Sequence, residues 1–320
     1  MTILGFDVAK ATVVVAEADR RATVRTLTTL ENTVGAIGSF LDEVQARHPH
    51  LTVIAESTGD YHRPLVEACL ARQRIDGRLV NPILTKQFNR ATIRRTKTDR
   101  QDAVNLVKLA IQGEGRPMTA ELLTTAKPLV RTAARVGMLR QSLRAMTKRF
   151  DGIVGDPALA QSLATSLHDL DATVAALRAK AQASVDQPTL QLLTSITGIG
   201  PVVATTVLAE LSPIERFISE RAVVAYAGLD PRVLQSGTSL NRQAALTKRG
   251  SPHLRHMLFI AASSARRCDP VLRTYYEKKR MEGKSYRTAV VATSRKLIAR
   301  IYAVWMRKTP YLEQPPRQTS

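Results

Sequence analysis

Four carboxylates are spaced so that a fold can bring them together. Asp7 ends a short β-prone run, Thr2 to Phe6, and Glu56 ends a continuous apolar run, Leu51 to Ala55. Asp99 and Asp102 stand three residues apart at the start of a helical pattern, which puts both on one helix face. Taken singly, each has a plain reading. A strand-terminal Asp makes turns, and Thr98, Asp99 and Asp102 could cap a helix and complement its dipole. Glu56 is harder to dismiss, because a carboxylate ending a buried strand without a cation carries a desolvation cost. Taken together the four suit one job. Two divalent ions about 4 Å apart, bridged by a shared carboxylate, clamp the attacking and leaving oxygens of a phosphoryl transfer. Hard Mg2+, with Mn2+ as a substitute, suits an all-oxygen donor set.

Three further strings carry chemistry. In Gln235-Ser236-Gly237-Thr238-Ser239 small hydroxyl residues surround a glycine, the usual composition of a turn or cap. Its functional reading makes Ser236 a nucleophile on a phosphate, with Arg242, Lys248 and Arg249 stabilising charge on the phosphoryl oxygens and Thr238 beside it. Thr197 to Pro201 reads as a helix-hairpin-helix turn. Gly198 and Gly200 would let amides approach a phosphate and Pro201 would open the next helix; a tight packing turn is the bland alternative. Lys86 to Arg100 is a basic stretch that includes Arg94, Arg95 and Lys97, a surface for nucleic acid. His253-Leu254-Arg255-His256, followed by Tyr275, Tyr276 and Tyr286, imitates a His-x-Leu-Arg-His box, but Pro252 occupies the leading position. A zinc site from His253, His256 and Cys268 lacks a fourth ligand. Both readings are rejected.

The elements that must carry these residues begin as α/β. Thr2–Phe6, Ala11–Ala16 and Ala22–Leu27 read as a three-strand meander and Val34–Ala46 as a helix. Leu51–Ala55 is a strand, Tyr61–Ala71 a helix and Gly77–Val80 a strand. That order matches a ribonuclease-H-type sheet. Asp99–Ile111 and Pro128–Phe150 are helical, the latter with Arg131 and Arg135, then Arg140, Arg144 and Lys148, as basic stripes. Leu159, Leu163, Leu167, Leu170, Val174, Leu177 and Ala181 recur at steps of four and three. Such a seam is an antiparallel or intermolecular coiled coil, or else one amphipathic helix on a globular body. Gln187-Pro188 reads as a linker and a second, helical domain follows. The expected division is residues 1–155, 156–188 and 189–320.

Composition narrows the class. The 320 residues suggest two or three domains. Forty-seven Lys and Arg against 27 Asp and Glu give a formal charge of +20, which calls for a polyanionic partner. Fifteen of those cations and three acids fall between Asn241 and Arg300, where a polyphosphate would sit. Hydrophobic residues make up 44% of the chain, enough for a packed core. No apolar stretch approaches the roughly 18 residues of a membrane span. Two distant cysteines exclude a disulfide framework and fit a reducing cytoplasm. A cytoplasmic, nucleoid-associated protein is the expectation.

Eight strings then occur in order: GFDVAK (Gly5 to Lys10), AESTGDY (Ala55 to Tyr61), Asn81-Pro82, KTDRQDA (Lys97 to Ala103), TGIGP (Thr197 to Pro201), AYAGLDP (Ala225 to Pro231), QSGTS (Gln235 to Ser239) and KRGSPHLRHML (Lys248 to Leu258). The chain resembles the Piv/MooV-type invertases and the insertion-sequence-110 family transposases, the bridge-RNA-guided recombinases. The resemblance implies a RuvC-like N-terminal domain with Asp7, Glu56, Asp99 and Asp102 as its metal-binding set. It further implies a coiled coil and a C-terminal transposase domain with Ser236 as nucleophile, Ser239 being its possible substitute. Donor and target DNA, a structured non-coding bridge RNA, and a homodimer or homotetramer joined to DNA by a phosphoserine link are implied as partners.

Aromatic residues make up only 4% of the chain, so base stacking cannot be the main recognition mode, and phosphate contacts are left as the protein's share. Two other readings compete: a RuvC-like structure-specific nuclease acting without a covalent intermediate, and a non-catalytic architectural protein. Nucleic-acid affinity is therefore expected to fall about a thousandfold or more between about 50 and about 200 mM salt. A filter-binding titration with a flat log–log salt plot would contradict a phosphate-dominated interface.

Overall fold

The computed structural model describes residues 2–19, 21, 23–57, 59–91, 99–150, 155–236, 240–246 and 250–312, with 231–236 and 240–246 described through their backbone. Contacts divide it into two units, residues 1–124 and 125–320.

In the first unit, β1 (Thr2–Val8), β2 (Thr12–Ala18) and β3 (Val24–Glu31) form the antiparallel meander. After α1 (Val34–Arg47), the chain enters β4 (Leu51–Glu56), which lies parallel to β1. Helix α2 (Arg63–Leu70) leads to β5 (Ile75–Val80), parallel to β4. Then follow α3 (Pro82–Ala91), α4 (Asp99–Ile111) and a two-residue edge strand, β6 (Arg116–Pro117). The strand order β3-β2-β1-β4-β5-β6 is the expected ribonuclease-H-type arrangement.

Strand alternation sorts the core into two layers. Leu4, Phe6, Val53 and Ala55 meet Ile37, Leu41 and Val44 of α1 and Leu65, Val66 and Cys69 of α2 on one face. Ile3, Ala16, Ala18, Ile54 and Val80 meet Ala103, Leu106, Val107 and Ala110 of α4 on the other. Gly5 is required at this second interface: a Cβ there would lie 2.2 Å from the Ala103 carbonyl oxygen and 3.0 Å from a Val107 methyl.

The second unit opens with α5 (Ala126–Phe150) and α6 (Pro157–Ala183). They run antiparallel: Ala126 shares a core cluster with Ala181, and further out Arg140 pairs with Asp171. Along α6 the seam residues Leu163, Leu167, Leu170, Val174, Leu177 and Ala181 are the sheltered ones, whereas Leu159 at its far end is 51% exposed. Gln187-Pro188 is no linker. Asp186 caps α7 (Gln187–Thr194) by accepting from the Thr189 amide at 2.9 Å, Pro188 sits in the first helical turn, and Leu190 and Leu193 are core residues. The Asp-Gln-Pro composition that reads as a break is helix-start chemistry.

Helices α8 (Pro201–Leu211), α9 (Glu220–Tyr226), α10 (Pro252–Cys268), α11 (Pro270–Met281) and α12 (Tyr286–Arg307) complete one helical core. The expectation of a helical domain needs one correction. Between α9 and α10 lies an antiparallel hairpin, β7 (Pro231–Ser236) and β8 (Leu240–Leu246). Among the described residues no helix is long and apolar enough to cross a membrane.

Gly5→Ala should lower the melting transition of the first unit by an amount equivalent to roughly 1–3 kcal/mol, the usual cost of overpacking. Gly35→Ala, in open space near the start of α1, should be neutral or raise it by up to about 1 kcal/mol. Thermal denaturation of both variants checks this.

Candidate active site

The sheet brings two of the four carboxylates side by side. Phe6 pairs in register with Ala55 across the parallel β1–β4 ladder, so Asp7 and Glu56 occupy the next register position at the C-terminal ends of both strands. Register partners in parallel strands share a face. That face is the one covered by α4, since Val14 opposite Asp7 and Val80 opposite Glu56 both join the α4-side core. Both carboxylates are half-buried.

Helix α4 brings the other pair. Asp99 and Asp102 lie in its first turn, where a helix dipole favours negative charge, with Asp99 exposed and Asp102 half-buried. Ala103, next to Asp102, rests its carbonyl on Gly5, two residues before Asp7. The Asn89 side-chain amide of α3 donates to Asp102 Oδ1 at 2.9 Å. The donor chemistry fits a hard divalent cation: carboxylate oxygens only, at the end of a buried sheet. Among the described residues, however, no three or more His, Cys, Asp or Glu side chains already stand as a group able to hold a metal ion.

Asn32, just past β3, is a residue that sequence reasoning missed. Its Nδ2 donates to the Ala9 carbonyl at 2.8 Å and to the Tyr61 carbonyl at 3.0 Å. It thus ties the loop after Asp7 to the loop after Glu56, and an isolated Asn after a strand carries no signal of that.

In the second unit Ser236 is the last residue of β7, in register with Leu240 at the hairpin tip, and Arg242 lies on β8 opposite Leu234. Arg94, Arg95, Lys97, Thr98, Thr238, Ser239, Lys248 and Arg249 lie outside the described residues. The hairpin base is closed by backbone contacts. A Cβ on Gly250 would fall 2.0 Å from the Tyr226 carbonyl oxygen, and the Ser251 amide donates to that oxygen at 2.9 Å. Arg255 donates to the Ala227 carbonyl at 3.2 Å and Arg295 to the Leu229 carbonyl at 2.6 Å. The AYAGL string and Gly250-Ser251 therefore meet in one joint.

The glycines of TGIGP divide. Gly198, at φ +88°, is taken up by packing: a Cβ there would meet the Ala265 Cβ at 2.4 Å. That packing accounts for the glycine on structural grounds. Gly200 precedes α8 with open space around its Cα.

Glu210 is the other residue missed. It is fully buried in α8, and Arg131 donates to both its oxygens, Nε at 2.8 Å and Nη2 at 3.1 Å. Lys127 stands 3.7 Å away. Burial pushes the Glu210 carboxyl up, but the Arg131 guanidinium, Lys127 and the Ser251 hydroxyl outweigh it and hold the pKa below the ordinary value. A lone Glu in the apolar run VVATTVLAEL signals a buried cation partner, without saying which one.

A ribonuclease-H-type domain with carboxylates at the ends of adjacent parallel strands, joined to a basic helical unit, belongs to proteins that act on polynucleotides. A DEDD transposase model of the IS110 type matches residues 4–148, and the transposase IS116/IS110/IS902 family model matches residues 190–277. The chain belongs to the IS110 family of transposases. It is 27% identical over 286 residues to the pilin gene-inverting protein of Moraxella bovis, covering 84% of this chain and 85% of that one. It is 31% identical over 161 residues to the IS110 insertion element 43.6 kDa protein of Streptomyces coelicolor, covering 50% of this chain and only 38% of that relative. Thermus thermophilus RuvC, solved in complex with a Holliday junction substrate, matches with a TM-score of 0.30 and 13% identity, over 37% of this chain and 99% of that chain.

Arg131→Ala leaves a carboxylate buried without its main partner and should destabilise the second unit by about 3–5 kcal/mol. Because the folded Glu210 pKa is lowered, its contribution is present above the unfolded carboxylate pKa and is lost as pH falls through the folded one. Glu210→Gln should therefore lose stability at neutral pH and flatten the acid limb of a stability–pH curve.

Proposed function

We propose that the protein is an RNA-guided DNA recombinase of an insertion element that exchanges strands through a phosphoserine intermediate. The observation that carries the reading is the pairing of Asp7 with Glu56 at the ends of parallel strands, on the face that α4 covers with Asp102, in a chain of the IS110 transposase family. Asp7, Glu56, Asp99 and Asp102 would hold divalent ions, Mg2+ or Mn2+, which supply Lewis-acid stabilisation of charge on a phosphoryl oxygen. Ser236 attacks the scissile phosphorus: a bond from its Oγ to phosphorus forms, the bond to a deoxyribose oxygen breaks, and that oxygen takes the proton. The hairpin tip suits this work, because a loop on a closed, helix-anchored base presents a hydroxyl without deforming the core.

Arg94, Arg95, Lys97, Arg242, Lys248, Arg249 and the Gly198–Gly200 turn before α8 would bind phosphates, with Thr238 beside the nucleophile. Low aromatic content supports delegating sequence choice to base pairing by a bridge RNA with donor and target DNA. Half-sites contributed by different protomers of a dimer or tetramer would complete each centre, in a cytoplasmic, nucleoid-associated complex.

The test is a denaturing gel of the protein incubated with its RNA, its DNA substrate and Mg2+. A covalent protein–DNA adduct is expected, absent in Ser236→Ala and in Asp7→Ala. Strand cleavage without an adduct, unaffected by Ser236→Ala, would replace this reading with a RuvC-like nuclease that resolves branched DNA.

A further inference from the structure

We infer that Asn89 and Asn105 are positioning residues, an amide relay that orients the Asp102 carboxylate toward a bound cation. The inference rests on the reading of Asp102 as a metal ligand. Three bonds run in series. Asn89 Nδ2 donates to Asp102 Oδ1 at 2.9 Å, Asn105 Nδ2 donates to Asn89 Oδ1 at 2.9 Å, and Gln101 Nε2 donates to Asn105 Oδ1 at 3.1 Å.

The direction of the series is dictated by charge. A side-chain amide can be turned over without changing its shape, so the polarity of an isolated Asn pair is undetermined. An ionised carboxylate only accepts, so Asn89 must turn its NH2 to Asp102 and its carbonyl oxygen to Asn105. Asn105 must then answer with its NH2, which leaves its own oxygen for Gln101. Asn89 and Asn105 each use one donor and one acceptor, and neither could be reversed without breaking two bonds.

Burial makes the relay rigid. Asn105 is 3% exposed, and a buried primary amide left unpaired carries a desolvation cost, so it cannot turn to solvent. Asn89 comes from α3, whereas Gln101, Asp102 and Asn105 belong to α4, so the relay spans two helices. A simple helix staple would need only the Asn89–Asn105 bond. The further bond, onto one oxygen of the carboxylate, selects a single orientation of Asp102. Outer partners that orient ligating carboxylates are worth about 10–100-fold in metal affinity.

The test titrates Mn2+ into the full-length protein without nucleic acid, by calorimetry, with metal-free melting temperature recorded alongside. Asn89→Leu removes the donor at similar size, and Asn89→Ser, too short to reach Asp102, serves as a second variant should the first not fold. Either is expected to weaken Mn2+ binding about 10–100-fold. Unchanged Mn2+ affinity in a folded Asn89 variant, beside lost affinity in Asp102→Asn, would overturn the relay while leaving the metal reading intact. A lowered metal-free melting temperature with unchanged affinity would overturn it too, reducing the relay to a staple. Unchanged affinity in Asp102→Asn itself would remove the metal reading and the relay's purpose with it.

Discussion

At Gly5 a helix packs directly against a strand backbone, and the carboxylate geometry hangs from that contact. Helix α4 lays the Ala103 carbonyl against Gly5, a contact that leaves no room for a side chain. Asp102 and Asp7 flank that contact on their own elements, one residue from Ala103 and two from Gly5. A larger residue at position 5 would lift α4 and carry Asp99 and Asp102 away from the sheet edge. β1 cannot yield instead, because it is paired on both sides and its other face carries Phe6, which is fully buried. The separation between strand-borne and helix-borne carboxylates is thus set by packing. Packing in a dense interior changes in steps rather than continuously.

The second unit solves a related problem by different means. A two-stranded hairpin alone is marginal in water. Here its base is held by two guanidinium groups on backbone carbonyls and by the close seat of Gly250 on Tyr226. Below that joint the Glu210–Arg131 pair ties α5 to α8, and the Ser251 hydroxyl that helps hold Glu210 also caps α10. The residue that returns from the hairpin therefore also supports a buried ion pair of the unit.

Much of this was legible in the sequence wherever burial writes a pattern. The apolar runs of β1, β2 and β4 alternate or persist as buried strands must, and Asp99–Ile111 reads as a helix with the same ends that the structure has. Asp7 and Glu56 stood out because each interrupts an apolar run at a strand end. What lacked a pattern was lost. Strands β7 and β8, PRVLQS and LNRQAAL, mix polar and apolar residues without sustained alternation, and the chain around them is helical. Gly198 and Gly200 look equivalent in sequence, and only the approach of Ala265 separates them. Asn32, Asn89 and Asn105 act through long-range hydrogen bonds, for which amide residues leave no periodic trace.

The charge distribution makes cation binding and polyanion binding interdependent. A net charge of +20 attracts nucleic acid over a range set by the Debye length, about 8 Å at physiological salt. At the sheet edge Asp7, Glu56, Asp99 and Asp102 would themselves repel the very phosphate that the proposed chemistry must cleave. Carboxylates left together also repel one another. A divalent cation held there, as proposed, would offset both repulsions at once. By linkage, whatever it adds to phosphate affinity, phosphate must return to the affinity for the cation.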